Sequence, residues 1–236
     1  MDSISDDSSS WISSCFKTEE TFSFSKLRTE SSQRDYFRFN FQGKTFILMY
    51  APKGIDESIE SFCKKADVFK SFQVKVPEIY FRNDDLCHLI IEDFSDNLYQ
   101  LNITQENSDI FITSALDQLI RIQNIDCDTE IFDHFDLEKS IANKDLFIDF
   151  FCRGYLNLSD SSIPFDTIDE GYNFILKRFY KLPMCISHYD FETRNLIYLD
   201  SKETGVLDFQ DAMIAPYALD LASIFKDLYM VWDKTQ

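Results

Sequence analysis

A short polar loop held between apolar runs constrains this chain more than any other stretch. His188-Tyr189-Asp190-Phe191-Glu192-Thr193-Arg194-Asn195-Leu196 follows Met184-Cys185-Ile186, and Val206-Leu207-Asp208-Phe209-Gln210-Asp211 comes soon after. Asp190 and Asn195 lie five residues apart, and Asp208 follows thirteen residues later. Any one of these residues alone would read as an ordinary turn former. Together they supply what phosphoryl transfer asks of a protein. One carboxylate receives or orients the proton of an attacking hydroxyl, while an amide and a second carboxylate hold a divalent cation on the phosphates.

With 236 residues, 44% of them hydrophobic, the chain can bury one large core or two small lobes. Its 24 Phe supply buried area, while only 5 Gly limit how many glycine-rich loops it can build. A net charge of −18 argues against a nucleic-acid surface and against attraction to anionic membranes. The six cysteines, at 15, 63, 87, 127, 152 and 185, include no C-x-x-C pair, so scattered reduced thiols are expected rather than a zinc site or disulfide framework. The serine-rich, acidic start has neither the basic residues nor the apolar run of a signal peptide, and no stretch is long enough to span a bilayer. A cytoplasmic protein, monomeric and without nucleic-acid or membrane partners, is the expectation.

Residues 1–20 read as an N-terminal arm, either a short docking helix on Trp11, Ile12 and Phe16 or a loose segment. Alternation over Phe22–Leu27, Tyr36–Phe41 and Thr45–Tyr50 predicts strands, the last two joined by a turn at Gln42-Gly43 and the first two by a polar turn over 29–34. Ile59, Phe62, Cys63, Ala66 and Phe69 make one helical stripe over 56–72. Val76–Tyr80 and Leu86–Glu92 read as strands, and Asp93–Asn97 as a polar break between lobes of 21–94 and 95–236. Helices are predicted over 108–125, over 135–158, after a Thr167/Glu170 capping box, and over 217–232, with short strands around the opening loop. The fold class is therefore α+β, a small antiparallel sheet lobe followed by a mainly helical lobe.

The pattern H-x-D-x-x-x-x-N followed by a strand ending in D-F resembles the catalytic and metal-binding loops of protein-kinase-like enzymes. With Gln210-Asp211 it resembles the aminoglycoside phosphotransferase/choline kinase-like superfamily. The strings Gln33–Arg38, Ile47–Pro52, Val76–Ile79, Leu89–Asp93 and Gly205–Ala212, in that order, are similar to the N-acetylmuramate/N-acetylglucosamine anomeric sugar kinases of cell-wall recycling. The resemblance runs from about Leu27 to Trp232 and is weak through the middle helices.

It implies a two-lobed kinase-like fold, ATP and Mg²⁺ as cofactors, and a small-molecule acceptor, best read as an amino sugar phosphorylated on its anomeric hydroxyl. By position it implies Asp190 as catalytic base and Asn195 and Asp208 as Mg²⁺ ligands. It makes Ser31, Ser32, Gln33 and Arg34 the loop over the phosphates, Glu92 to Phe94 the adenine hinge, and Asp220 a brace for the catalytic loop. The lysine usual on the third strand is missing from Ile47-Leu48-Met49-Tyr50, a feature the sugar-kinase group shares; Arg38, Lys44 and Lys53 are the candidates for that charge. Family members continue with further helices, so an incomplete acceptor wall is expected. An aminoglycoside- or choline-type acceptor, or a non-catalytic nucleotide-binding relic, are the other readings. His188 and Asp211 read as structural, and His88 and His134 as surface or boundary residues. Arg194 faces either a phosphate or Glu192.

Overall fold

The computed structural model describes residues 4–27, 33–54, 58–126, 130–199 and 202–227. The expected polar turn over 29–34 lies largely outside them, as do Ser31, Ser32, Cys127 and the part of the final helix beyond Asp227.

Helix α1 (Asp6–Phe16) opens the described chain, capped by the Ser5 hydroxyl, which accepts from the Ser8 N–H. Strands β1 (Phe24–Lys26), β2 (Asp35–Phe41) and β3 (Lys44–Tyr50) follow. Gln42 and Gly43 both have positive φ, the geometry of a tight hairpin turn that keeps the strand twist. Helix α2 (Ile59–Ser71) is capped by Ser58, and β4 (Ile79–Asn83) and β5 (His88–Glu92) complete an antiparallel sheet in the order β1-β2-β3-β5-β4.

Strand alternation gives this sheet two apolar faces. Ile47, Met49, Leu89 and Ile91 face α2 and belong to a core that continues into the second lobe through Leu196, Val206, Phe209 and Ile224. Phe37, Phe39, Phe46, Leu48 and Ile90 face the other way and are covered by Ile12, Trp11 and Phe16 of α1. The N-terminal arm is thus a docked helix. Its Phe16 ring lies 4.7 to 6.1 Å from five other phenylalanine rings, which closes the back of the sheet. His88, expected at a surface or boundary, is instead buried beneath α1. Its Nε2 stands 3.0 Å from the Ser8 hydroxyl and its ring edge-on to Trp11.

The second lobe contains α3 (Tyr99–Asn102), α4 (Ser108–Gln123), α5 (Leu137–Leu146) and α6 (Phe165–Phe179). Beyond α5 the predicted single helix loosens into a π-helical stretch, Phe147–Tyr155. Helix α6 starts at Phe165, ahead of the predicted capping box. The Pro164 carbonyl already accepts from the Ile168 N–H, so Thr167 lies inside the first turn. Strands β6 (Met184–Ser187) and β9 (Met213–Pro216) pair, as do β7 (Leu196–Tyr198) and β8 (Thr204–Val206), and α7 (Ala218–Phe225) closes the described chain. The five described cysteines are all free thiols.

Candidate active site

The two short hairpins present the loops that the sequence singled out. Strand β6 ends at Ser187 and β7 begins at Leu196, so 188–195 is a loop held at both ends; Asp208 follows β8 by two residues. The loops are stitched together through Leu207. His188 Nε2–H donates to the Leu207 carbonyl at 2.8 Å, and the Leu207 N–H donates to the Asn195 carbonyl at 2.9 Å. His188 is fully buried and structural, as expected.

Within the loop, Asn195 Nδ2 donates to the Asp190 carbonyl at 2.9 Å, and the Glu192 and Asn195 N–H groups donate to the Asp190 and Glu192 carbonyls. Tyr189 has φ 79°, an uncommon conformation for a bulky residue and one that costs on the order of 1–3 kcal/mol. The fold holds it there: the Tyr189 N–H is shared between Ser187 Oγ and Asp220 Oδ1 at 3.1 and 3.0 Å. Asp220, wholly buried at the start of α7, also accepts from Ser187 Oγ at 2.9 Å and the His188 N–H at 2.8 Å. It is the brace that the resemblance implied. Asp227 is a second brace that sequence reasoning missed. Also buried, it accepts from the Thr193 N–H at 2.7 Å. One C-terminal segment therefore fixes the loop on both sides of Asp190.

Asp190, Asn195 and Asp208 line one cleft of about 610 Å³ between the sheet and the helical lobe, a size suited to a small-molecule site. Asp211 lines it too; burial and the nearby Asp208 charge push its carboxyl up, against the pull of Lys65. Apolar Leu27, Ile47, Ile91 and Leu207 form a slot beside Glu92, Asp93 and Phe94. The Glu92 carboxylate accepts from the Glu78 N–H at 3.2 Å and faces Lys75 at 3.4 Å. Phe94 is buried, with Gly205 beneath its ring.

The cations are placed less simply than expected. Arg38 lines the cleft, its guanidinium forked onto Asp96 and held by Asp93. Arg34 is buried with its guanidinium 5.4 Å from the Phe62 ring centre, and Gln33 is exposed outside the cleft lining. Lys44 donates to Tyr80 Oη, and Lys53 is an exposed turn residue outside the lining. Arg194 pairs closely with Glu192 and stands 3.9 Å from Asp190. A buried lysine on α2, Lys65, went unnoticed in the sequence and reaches the segment after Asp208. Its sequence signal is a charge at position i+3 from Phe62, inside the apolar stripe.

The donor set suits a hard divalent cation. With Nδ2 committed to a carbonyl, the Asn195 oxygen is the end able to coordinate, and Asp208 adds a carboxylate on the same cleft. Among the described residues no three His, Cys, Asp or Glu gather into a metal site. Mg²⁺ commonly takes only one or two carboxylates from the protein, with phosphates and water completing its shell.

The profile of the phosphotransferase enzyme family matches residues 23–236. The chain belongs to the phosphotransferase enzyme family. Over 216 residues, 91% of the chain, this family member is 26% identical to the N-acetylmuramate/N-acetylglucosamine kinase of Pseudomonas putida, covering 62% of that protein. It is 24% identical over 229 residues to the protein of that name from Neisseria meningitidis, covering 95% of the chain and 67% of that protein. The chain thus spans about three fifths of the length of its Pseudomonas putida relative. Its fold is similar to that of an aminoglycoside phosphotransferase solved with streptomycin and ATP (TM-score 0.63, 17% identity, 93% of this chain and 75% of that one). It is also similar to that of the choline kinase LicA from Streptococcus pneumoniae (TM-score 0.64, 15% identity, 92% and 72%).

Proposed function

We propose that this phosphotransferase family member is an ATP- and Mg²⁺-dependent kinase that phosphorylates a hydroxyl of a small molecule, specifically the anomeric hydroxyl of an N-acetylated amino sugar such as N-acetylmuramate or N-acetylglucosamine. The observation that carries the reading is the convergence of Asp190, Asn195 and Asp208 on one cleft, with both of their loops tied through Leu207. The two relatives named for those sugars support the acceptor.

Asp190 would accept or orient the hydroxyl proton as the acceptor oxygen forms its bond to the γ-phosphorus and the bond to the β-phosphate oxygen breaks, releasing ADP. An anomeric hydroxyl is more acidic than an ordinary alcohol, which lightens the demand on that carboxylate. Asn195 and Asp208 would hold Mg²⁺, which when bound offsets the charge of the phosphates. The apolar slot would take adenine, with the backbone of Glu92 to Phe94 as its hinge, between lobes of 21–94 and 95–236. Arg38 would shape the slot through Asp93 and Asp96. Arg194, held by Glu192, would set its charge beside Asp190 and the phosphates. Among the described residues no helix is long and apolar enough to cross a membrane, which is compatible with a cytoplasmic enzyme.

The test is ADP release with Mg·ATP and, in turn, N-acetylmuramate, N-acetylglucosamine, an aminoglycoside and choline. Turnover on the amino sugars supports the proposal. Turnover on an aminoglycoside or choline alone overturns the acceptor, and Mg·ATP binding with no turnover on any of them favours a non-catalytic nucleotide binder.

A further inference from the structure

A buried lysine joins α2 to the turn that carries Asp208. Lys65 is 6% exposed, and its Nζ donates to the Gln210 carbonyl and, at 3.1 Å, to the Ala212 carbonyl. These two groups flank Asp211 in the 3₁₀ turn Phe209–Asp211 and lie ahead of the β9 ladder. Burying an ammonium is costly unless its donors are satisfied, so a lysine here is poor core filling. An apolar chain would fill the volume but leave both carbonyls without this donor.

The same face of α2 grips the turn from a second direction. Phe62 and Phe69, three residues before and four after Lys65, hold the Phe209 ring at 4.8 and 5.5 Å. Asp208, immediately before Phe209, sits in the left-handed region at φ 59° and ψ 34°, and its Oδ1 accepts from Gln210 Nε2 at 2.5 Å. A shift of Gln210 therefore reaches the Asp208 carboxylate through one hydrogen bond as well as through the chain. On β3, the strand whose usual lysine is missing, Met49 is buried against the same core. Lys65 puts a cation on the helix side of this core, where it acts on the loop backbone.

We propose that Lys65 is a positioning residue for Asp208, fixing the turn so that its carboxylate is preorganised for the metal of the nucleotide. This rests on the reading of Asp208 as a Mg²⁺ ligand. Neighbouring Lys64 provides the control: it is exposed and pairs with Glu60 along the helix surface.

The experiment is calorimetric titration of ATP over a Mg²⁺ series, and in EDTA, for the wild type, Lys65→Met and Lys64→Met. Loss of a group that orients a metal ligand typically costs 10–100-fold in metal affinity, so Lys65→Met should need about tenfold more Mg²⁺ for half-saturation. Metal-free nucleotide affinity should be unchanged, and Lys64→Met should match the wild type throughout. A merely structural lysine would lower the melting temperature without moving the Mg²⁺ midpoint, and an unmoved midpoint overturns the proposal. If Lys65→Met does not fold, Lys65→Ala, which also removes the donor, carries the same comparison, with a shift supporting and no shift refuting. Wild-type nucleotide binding that ignores Mg²⁺ would refute the reading of Asp208 itself, a separate failure seen before any variant is made.

Discussion

The guanidinium of Arg38 grips the carboxylate of Asp96 through two hydrogen bonds of 2.8 Å each, joining β2 to the segment that follows β5. Bidentate geometry makes this the specific kind of ion pair, but the Asp96 side chain is 78% exposed, so solvent screening limits its contribution. Asp96→Asn is expected to cost less than about 1 kcal/mol in urea unfolding. The hydrogen bond from Arg38 holds the Asp96 carboxyl below its ordinary 3.8. A depressed folded-state value means stability present above pH 3.8 and lost as pH falls through the lower folded value. The variant's acid limb should therefore be shallower than that of the wild type.

Removing Asp220 should do far more. Its buried carboxylate accepts from Ser187 Oγ and two backbone N–H groups; truncation removes the acceptor of Ser187 Oγ and the His188 N–H and leaves the strained Tyr189 held by Ser187 Oγ alone. Asp220→Ala is expected to destabilise by about 3 kcal/mol or more, read from the midpoint of denaturant unfolding. A loss below about 1 kcal/mol, the scale of an ordinary neutral hydrogen bond, would contradict this role.

Under α1, His88 gives a different pH response. The Leu86 carbonyl can only accept, so Nδ1 carries the hydrogen and Nε2 accepts from the Ser8 hydroxyl. Burial holds the imidazole below its ordinary 6.5. The folded state then binds fewer protons than the unfolded one just below pH 6.5, so stability should fall as pH drops from there toward the folded value. Melting temperatures between about pH 5 and 8 should show a shallower slope for His88→Gln, and an unchanged slope would exclude His88 as its source.

Gly205 lies under the Phe94 ring. A Cβ at this position would stand 2.6 Å from Phe94 Cδ2, and the buried ring has little room to move. Gly205→Ala should cost about 1–3 kcal/mol by overpacking and raise the KM for ATP more than it lowers kcat. Wild-type stability together with a wild-type KM would show that the ring yields without disturbing the slot.

The residues whose placement depends on local spacing were the legible ones. Asp190, Asn195 and Asp208 stand out because a short loop between strands imposes fixed intervals, and the sheet stands out because its strands alternate. Lys65 and Asp227 were missed, and His88 was placed at the surface or a boundary, because their partners are mostly backbone groups or lie far along the chain: two carbonyls near Asp211, one N–H of Thr193, and the Leu86 carbonyl with a serine hydroxyl on α1. Backbone groups carry no sequence signature, so only a charge or imidazole inside an apolar stripe could have flagged them. The π-helical stretch after Leu146 was equally hidden, because its apolar residues still fit a helical period.

The most direct measurement is paired ATP binding and turnover for the wild type, Asp190→Ala and Asp208→Ala, with and without Mg²⁺. Asp190→Ala should bind Mg·ATP as the wild type does while losing turnover by roughly 10²–10⁴-fold. Asp208→Ala should lose the Mg²⁺-dependent part of nucleotide binding. Full turnover in both variants would contradict the assignment of this cleft as the phosphotransfer site.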